Sequence, residues 1–162
     1  AKGMILYHGS NVEVQEPHIV RSQRLLDFGT AFYLTSDFDQ ARKWAVRTAA
    51  RRETGTPLVS VFQLDEPFPE NLKVLRFENA GKQWLRYISS NRTERYIRDD
   101  YDLVIGPVAD DQAIRTVNNY LKGYFSEDIA IQLLLPQNLK DQFAFKTEQA
   151  LKALHFCEVK NV

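Results

Sequence analysis

Apolar residues in this chain fall in short blocks whose spacing alternates between a period of two and a period near 3.6, and that alternation lays out the elements. Residues 5–8 read as a short strand, ended by the turn chemistry of Gly9-Ser10-Asn11. Residues 12–27 are mixed and polar, a loop with a short helix expected over 18–25. A glycine turn at Phe28-Gly29 then leads into the aromatic strand Ala31-Phe32-Tyr33-Leu34-Thr35. Asp37 is placed to cap a helix, with Gln40 three residues on completing a capping box. Apolar positions 38, 41, 44, 45 and 49 carry that helix to Arg51-Arg52, cations suited to a helix C-terminus, before Gly55-Thr56-Pro57 breaks it.

Beyond this break the pattern predicts strands over 58–64 and 72–77, a helix over 81–88 and a charged loop over 91–100. A strand over 101–105 stops at Gly106-Pro107. Asp110 or Asp111 begins a helix with Ala113, Ile114, Val117, Tyr120 and Leu121 at core spacing, and Ser126 caps another through Leu135. A strand over 141–146, a Thr147-capped helix over 148–154 and a strand over 156–159 close the chain. Strands and helices interleave without repeating as strand–helix–strand units, which favours an α+β fold with a mixed or antiparallel sheet.

Composition narrows the classes. With 162 residues one domain is expected, over 4–162, and a chain this long needs neither disulfides nor metals to fold. Met4 is the only methionine, so residues 1–3 read as a remnant before the natural start. Lys+Arg and Asp+Glu both number 21, which excludes a uniformly basic protein and confines any nucleic-acid binding to a local patch. One such patch is the stripe Lys43, Arg47 and Arg51, flanked by Arg42 and Arg52, although Asp39 is spaced to pair with Lys43. The single cysteine, Cys157, rules out an internal disulfide and a cysteine metal cluster, and its apolar strand suggests a core position. With no charged-then-apolar leader and no membrane-length apolar run, a cytoplasmic protein is the expectation.

The chemistry concentrates in three segments at strand ends. His8, His18 and His155 are scattered without metal-ligand spacing, and no Gly-x-Gly loop occurs. What stands out is Leu6-Tyr7-His8-Gly9-Ser10, then Phe28-Gly29-Thr30-Ala31-Phe32-Tyr33-Leu34-Thr35 with Trp44 on the following helix, then Asp141-Gln142-Phe143-Ala144-Phe145. In order and spacing these resemble the three motifs of ADP-ribosyltransferases of the diphtheria-toxin/poly(ADP-ribose)-polymerase type. The chain looks closest to the bacterial family called domain of unknown function 3990, whose members open with Leu-Tyr-His-Gly-Ser and contain Asp-Phe-Gly-x-x-Phe-Tyr-Leu-Thr.

The resemblance implies a split mixed or antiparallel sheet core with flanking helices. It also implies NAD as substrate, no metal, and mono-transfer of ADP-ribose to a macromolecular acceptor. His8, Tyr33 and Gln142 would form the catalytic triad, with His8, Gly9, Ser10, Gly29, Tyr33, Trp44 and Arg24 binding NAD. In that scheme His8 and Ser10 contact the adenosine ribose, and Gly9 admits the nicotinamide carboxamide to the backbone. Tyr33 and Trp44 sandwich the cationic nicotinamide ring, while Arg21 and Arg24 reach the pyrophosphate.

Gln142 stands where the resemblance expects a glutamate. An amide can hold the 2′-hydroxyl of the nicotinamide ribose but brings no charge, a loss worth about 1–2 kcal/mol, roughly tenfold in rate. Lys140, where arginine-modifying relatives carry an acid, argues against an arginine acceptor, and Glu148 reads as serving its helix dipole. Asp110 or Asp111 reads as a helix cap, with a cleft-lining role as the other reading. A bacterial toxin with a neutralising partner is what the resemblance implies. The alternatives are a degenerate domain that binds NAD, ADP-ribose or a protein without turnover, and a nucleic-acid module using the basic stripe.

Overall fold

The computed structural model describes residues 3–20, 25–94 and 99–162. Among them the elements run β1 (Gly3–Ser10), β2 (Phe32–Leu34), α1 (Phe38–Arg52), β3 (Leu58–Asp65), β4 (Val74–Arg76), α2 (Lys82–Thr93), β5 (Leu103–Pro107), α3 (Asp111–Leu121), α4 (Glu127–Leu134), β6 (Asp141–Phe145), α5 (Glu148–Leu151) and β7 (Leu154–Asn161). Two sheets result, of order β1-β3-β7 and β2-β6-β5-β4. All neighbours are antiparallel except β4 and β5, which are parallel. The fold is α+β, as the interleaved pattern predicts.

Alternation along the strands decides the layers, because successive side chains point to opposite faces. Leu6, Phe62 and Leu64 of the first sheet face Phe32, Leu34, Leu103, Ile105, Phe143 and Phe145 of the second, forming the central core. Each such side chain contributes about 1.5–3 kcal/mol on full burial. On the outer face of the first sheet, Ala41 and Ala45 of α1 lie on Val59 and Val61. On the outer face of the second, Trp84, Leu85, Ile88, Ala113, Val117, Ala130 and Leu134 cover Val104 and Ala144. The two sheets meet at one β-bridge, where Tyr7 N–H donates to Thr35 O (2.8 Å) and Thr35 N–H to Tyr7 O (3.0 Å).

Several boundaries differ from the sequence pattern for identifiable reasons. β1 begins at Gly3, paired with Asp65, so the third residue belongs to the fold. Residues 18–20 are not helical, and the rest of the helix expected there falls largely outside the described residues. Asp37 caps α1 through Asp39 N–H and Gln40 N–H, but the return half of the capping box does not form, since Thr35 Oγ1 takes the Asp37 N–H (3.2 Å). α2 runs on to Thr93, into the stretch expected as a charged loop. α5 stops at Leu151 because Leu154 already pairs with Leu64 in β7. Cys157, expected in the core, is exposed, as β7 is an edge strand with one face in water.

Lys140 Nζ lies 3.1 Å from Asp37 Oδ2 and, with the capping bonds, holds that carboxyl below its usual pKa. A carboxylate with a lowered folded-state pKa stabilises above its unfolded value and loses that contribution as the pH falls. We predict that Asp37→Ala costs about 1 kcal/mol, a melting-temperature drop of roughly 2–4 °C at pH 7, with the difference from wild type narrowing on acidification below pH ~4.

Candidate functional site

A cavity of ≈ 380 Å³ opens beside the junction of the sheets, lined by residues from both. From the sequence-predicted set it gathers His8 and Gly9 (end of β1), Tyr33 (β2), Trp44 (α1) and Gln142 (β6). Arg47 and Arg51 from the basic stripe line it too, as do Asp27, Arg92 and Asp111.

His8 is fixed by two contacts. Its ring stacks on Phe32 at 4.1 Å between centroids, and Nδ1 lies 2.7 Å from Tyr33 O. A carbonyl oxygen only accepts, so Nδ1 carries the proton and Nε2 is the acceptor in the neutral ring. Removal from water pushes the pKa from 6.5 down to about 4, with the Arg52 charge adding to the shift against the Tyr33 bond. At neutral pH the ring is uncharged.

Tyr33 is held at its hydroxyl, which donates to Gly29 O (2.5 Å) and accepts from Phe28 N–H (3.1 Å). Gly29 supplies that carbonyl from a positive φ of 84°, which a side chain resists. Burial, reinforced by the Asp27 carboxylate, drives the phenol well above its ordinary pKa, so Tyr33 stays neutral.

Gln142 is buried at 3 % exposure. Its Nε2 donates to Asp27 Oδ2 (3.4 Å) and Pro107 O (3.3 Å), and Pro107 O also accepts from Trp84 Nε1 (2.8 Å). With the amide N–H groups so directed, Oε1 is what the side chain has to offer a ligand. Asp27, itself buried, has Arg92 Nε 2.7 Å from Oδ1. At the other lip Arg47 Nη2 meets both Asp111 oxygens, at 3.1 and 3.2 Å. The cavity thus combines aromatic walls with three guanidinium groups and two carboxylates.

Some expected site residues have other places. Ser10 is buried outside the cavity, its Oγ donating to Asn11 Oδ1 (3.3 Å), and Gly29 serves the turn that holds Tyr33. Gly9 lines the cavity, but its missing Cβ is required by α1, since an added Cβ would lie 2.0 Å from Ala41 O. Arg21 and Arg24 lie outside the described residues. Lys140 faces Asp37 rather than the cavity, so its charge is compensated and its bearing on an acceptor is weakened. Both readings of the acid pair hold, each for one residue: Asp110 caps α3 (Ala113 N–H to Oδ1, 2.8 Å) and Asp111 lines the cavity. Glu148 sits in the first turn of α5 and also accepts from Ile19 N–H (3.0 Å).

Asp27 and Arg92 are site residues that the motif pattern does not single out. Arg92 carries no local signal, whereas Asp27 opens the Asp-Phe-Gly stretch of the second motif. Among the described residues no helix is long and apolar enough to cross a membrane, and no group of three or more His, Cys, Asp or Glu residues is arranged to hold a metal ion.

The family described as "Protein of unknown function (DUF3990)" matches residues 4–156, and the chain belongs to it. Comparison with curated proteins and with solved structures returns no match.

The depressed His8 pKa has a consequence for stability. Between pH 6.5 and about 4 the unfolded chain binds a proton at His8 that the folded chain does not, so acidification through this window destabilises the fold. We predict that His8→Gln flattens this part of the stability–pH curve, read from urea midpoints, while the wild type loses stability across it.

Proposed function

We propose that the chain is an NAD-dependent mono-ADP-ribosyltransferase, with the ADP-ribosyltransferase-type split sheet, acting on a macromolecular acceptor. The observation that carries this reading is the convergence of His8, Gly9, Tyr33, Trp44 and Gln142 on one cavity, from motifs up to 134 positions apart. In this reading Tyr33 and Trp44 hold the nicotinamide ring by stacking and by attraction to its positive charge. Neutral His8 offers Nε2 to a ribose hydroxyl, and Gln142 Oε1 accepts the 2′-hydroxyl of the nicotinamide ribose. Arg47 and Arg51 bring guanidinium groups to the cavity, the donor type that suits a pyrophosphate.

The reaction breaks the bond between nicotinamide N1 and ribose C1′, and the electron pair leaves with nicotinamide, discharging the pyridinium. Positive charge grows at C1′ and its ring oxygen until the acceptor's nucleophile bonds C1′ and gives up its proton. Acceptor groups on this face of the sugar favour the transition state most where negative potential is preorganised.

A second reading, an NAD- or ADP-ribose-binding domain without turnover, is favoured by the uncharged Gln142. The nucleic-acid alternative is less supported, because Arg47 meets Asp111 in the cavity and Asp39 compensates Arg42 (2.7 Å) and Lys43 (3.5 Å). A family role as a bacterial toxin with a neutralising protein belongs to the same proposal.

Incubation with labelled NAD and a cell lysate tests the two readings. Transfer predicts a labelled macromolecule and free nicotinamide, with Tyr33→Ala lowering NAD affinity about tenfold or more and Gln142→Ala lowering turnover more than binding. Binding without turnover predicts only a rise in melting temperature, about 2.7 kcal/mol of stabilisation at a hundredfold excess over Kd. Neither label nor thermal shift contradicts both.

A further inference from the structure

We infer that Asp27 is a positioning residue that supplies, through the Gln142 amide, the negative charge that position 142 lacks; this rests on the transferase reading above. Asp27 sits in the turn ahead of β2, lines the cavity and is 8 % exposed. Its two oxygens have separate tasks. Oδ1 faces the Arg92 guanidinium, with Nε and Nη2 each at 2.7 Å, and Oδ2 accepts from Gln142 Nε2 at 3.4 Å.

The arrangement fixes which way the amide points. Reversing Gln142 would set Oε1 against both the Asp27 carboxylate and the Pro107 carbonyl, two acceptors with no proton to give. Pro107 O is itself anchored by Trp84 Nε1, so the amide's surroundings are rigid. An amide that donates to a carboxylate accepts more strongly at its own oxygen, since hydrogen bonds in a chain polarise one another. Both side chains are buried, so this influence is less screened than it would be in water. Arg92 keeps the buried carboxylate paired through Oδ1, which removes the cost of an isolated charge there, while Oδ2 is the oxygen that meets Gln142. A charge normally expected on the residue at 142 is thus held one hydrogen bond behind it.

Relocating the charge is the test. NAD affinity, nicotinamide release and melting temperature are measured for wild type, Asp27→Asn, Gln142→Glu and the double variant. Asp27→Asn is expected to lower kcat about tenfold while NAD affinity changes by no more than about twofold. Gln142→Glu alone gives no gain, because two adjacent carboxylates disfavour each other's ionisation. The double variant, carrying one carboxylate at 142, recovers kcat to within about threefold of wild type. A purely structural Asp27 would lower the melting temperature with no such recovery.

If Asp27→Asn does not fold, the inference stands on Gln142→Glu showing no gain and on an active double variant. It is overturned by a Gln142→Glu enzyme faster than wild type, or by a double variant that is inactive or unfolded. An Asp27→Asn variant with wild-type kcat overturns the inference alone. A wild type that releases no nicotinamide overturns the transferase reading and the inference with it.

Discussion

The two main-chain hydrogen bonds between Tyr7 and Thr35 set the geometry on which the site depends. Energetically they are modest, about 0.5–1.5 kcal/mol each. Their importance is positional: the residue after Tyr7 is His8, and Tyr33 of β2 lies two residues before Thr35. Joining the sheets at this rung brings the His8 ring under the Tyr33 carbonyl and sets both beside the cavity. Asp141 braces the same corner, accepting from Thr35 Oγ1 (3.1 Å) and Ser36 N–H (2.8 Å), and so ties the strand that carries Gln142 to the junction.

From that corner the rest of the cavity follows. α1 begins just past Thr35 and lies so close to β1 that only glycine fits at position 9. That approach brings Trp44, Arg47 and Arg51 of α1 to the cavity, which β6, α2 and the turn at Asp27 also line. Buried polar groups here are paired rather than isolated: Asp27 with Arg92, Gln142 with Asp27 and Pro107, Tyr33 with Gly29 and Phe28. Pairing of this kind makes a low-dielectric polar site tolerable and also rigid. Rigidity is what a site needs if it is to favour one bond-breaking geometry.

Most of the fold was legible because the elements are local statements. Asp37, Asp110, Ser126 and Thr147 each cap the helix that their spacing predicts, and the aromatic strand at Tyr33 forms as its residue types suggest. The errors came where a third element intervenes. Thr35 displaces the Gln40 half of a capping box, Lys140 is drawn to Asp37, and the tight fit at Gly9 is to a helix backbone. The site was legible in its motif residues but not in its charges. Arg47 and Arg51 were visible as a stripe, yet which surface they faced depends on how α1 lies on β1. Asp27 and Arg92, 65 positions apart, meet only through the packed turn and α2.

Under the proposed function, Tyr33 and Trp44 hold the flat ring of NAD. Trp44 lines the cavity whereas the other tryptophan, Trp84, is fully buried, so tryptophan fluorescence during an NAD titration tests the claim most directly. Saturable quenching is expected in the wild type and is lost in Trp44→Phe, with the Trp84 emission unmoved. Emission unchanged by millimolar NAD, or quenching that persists without Trp44, would contradict it.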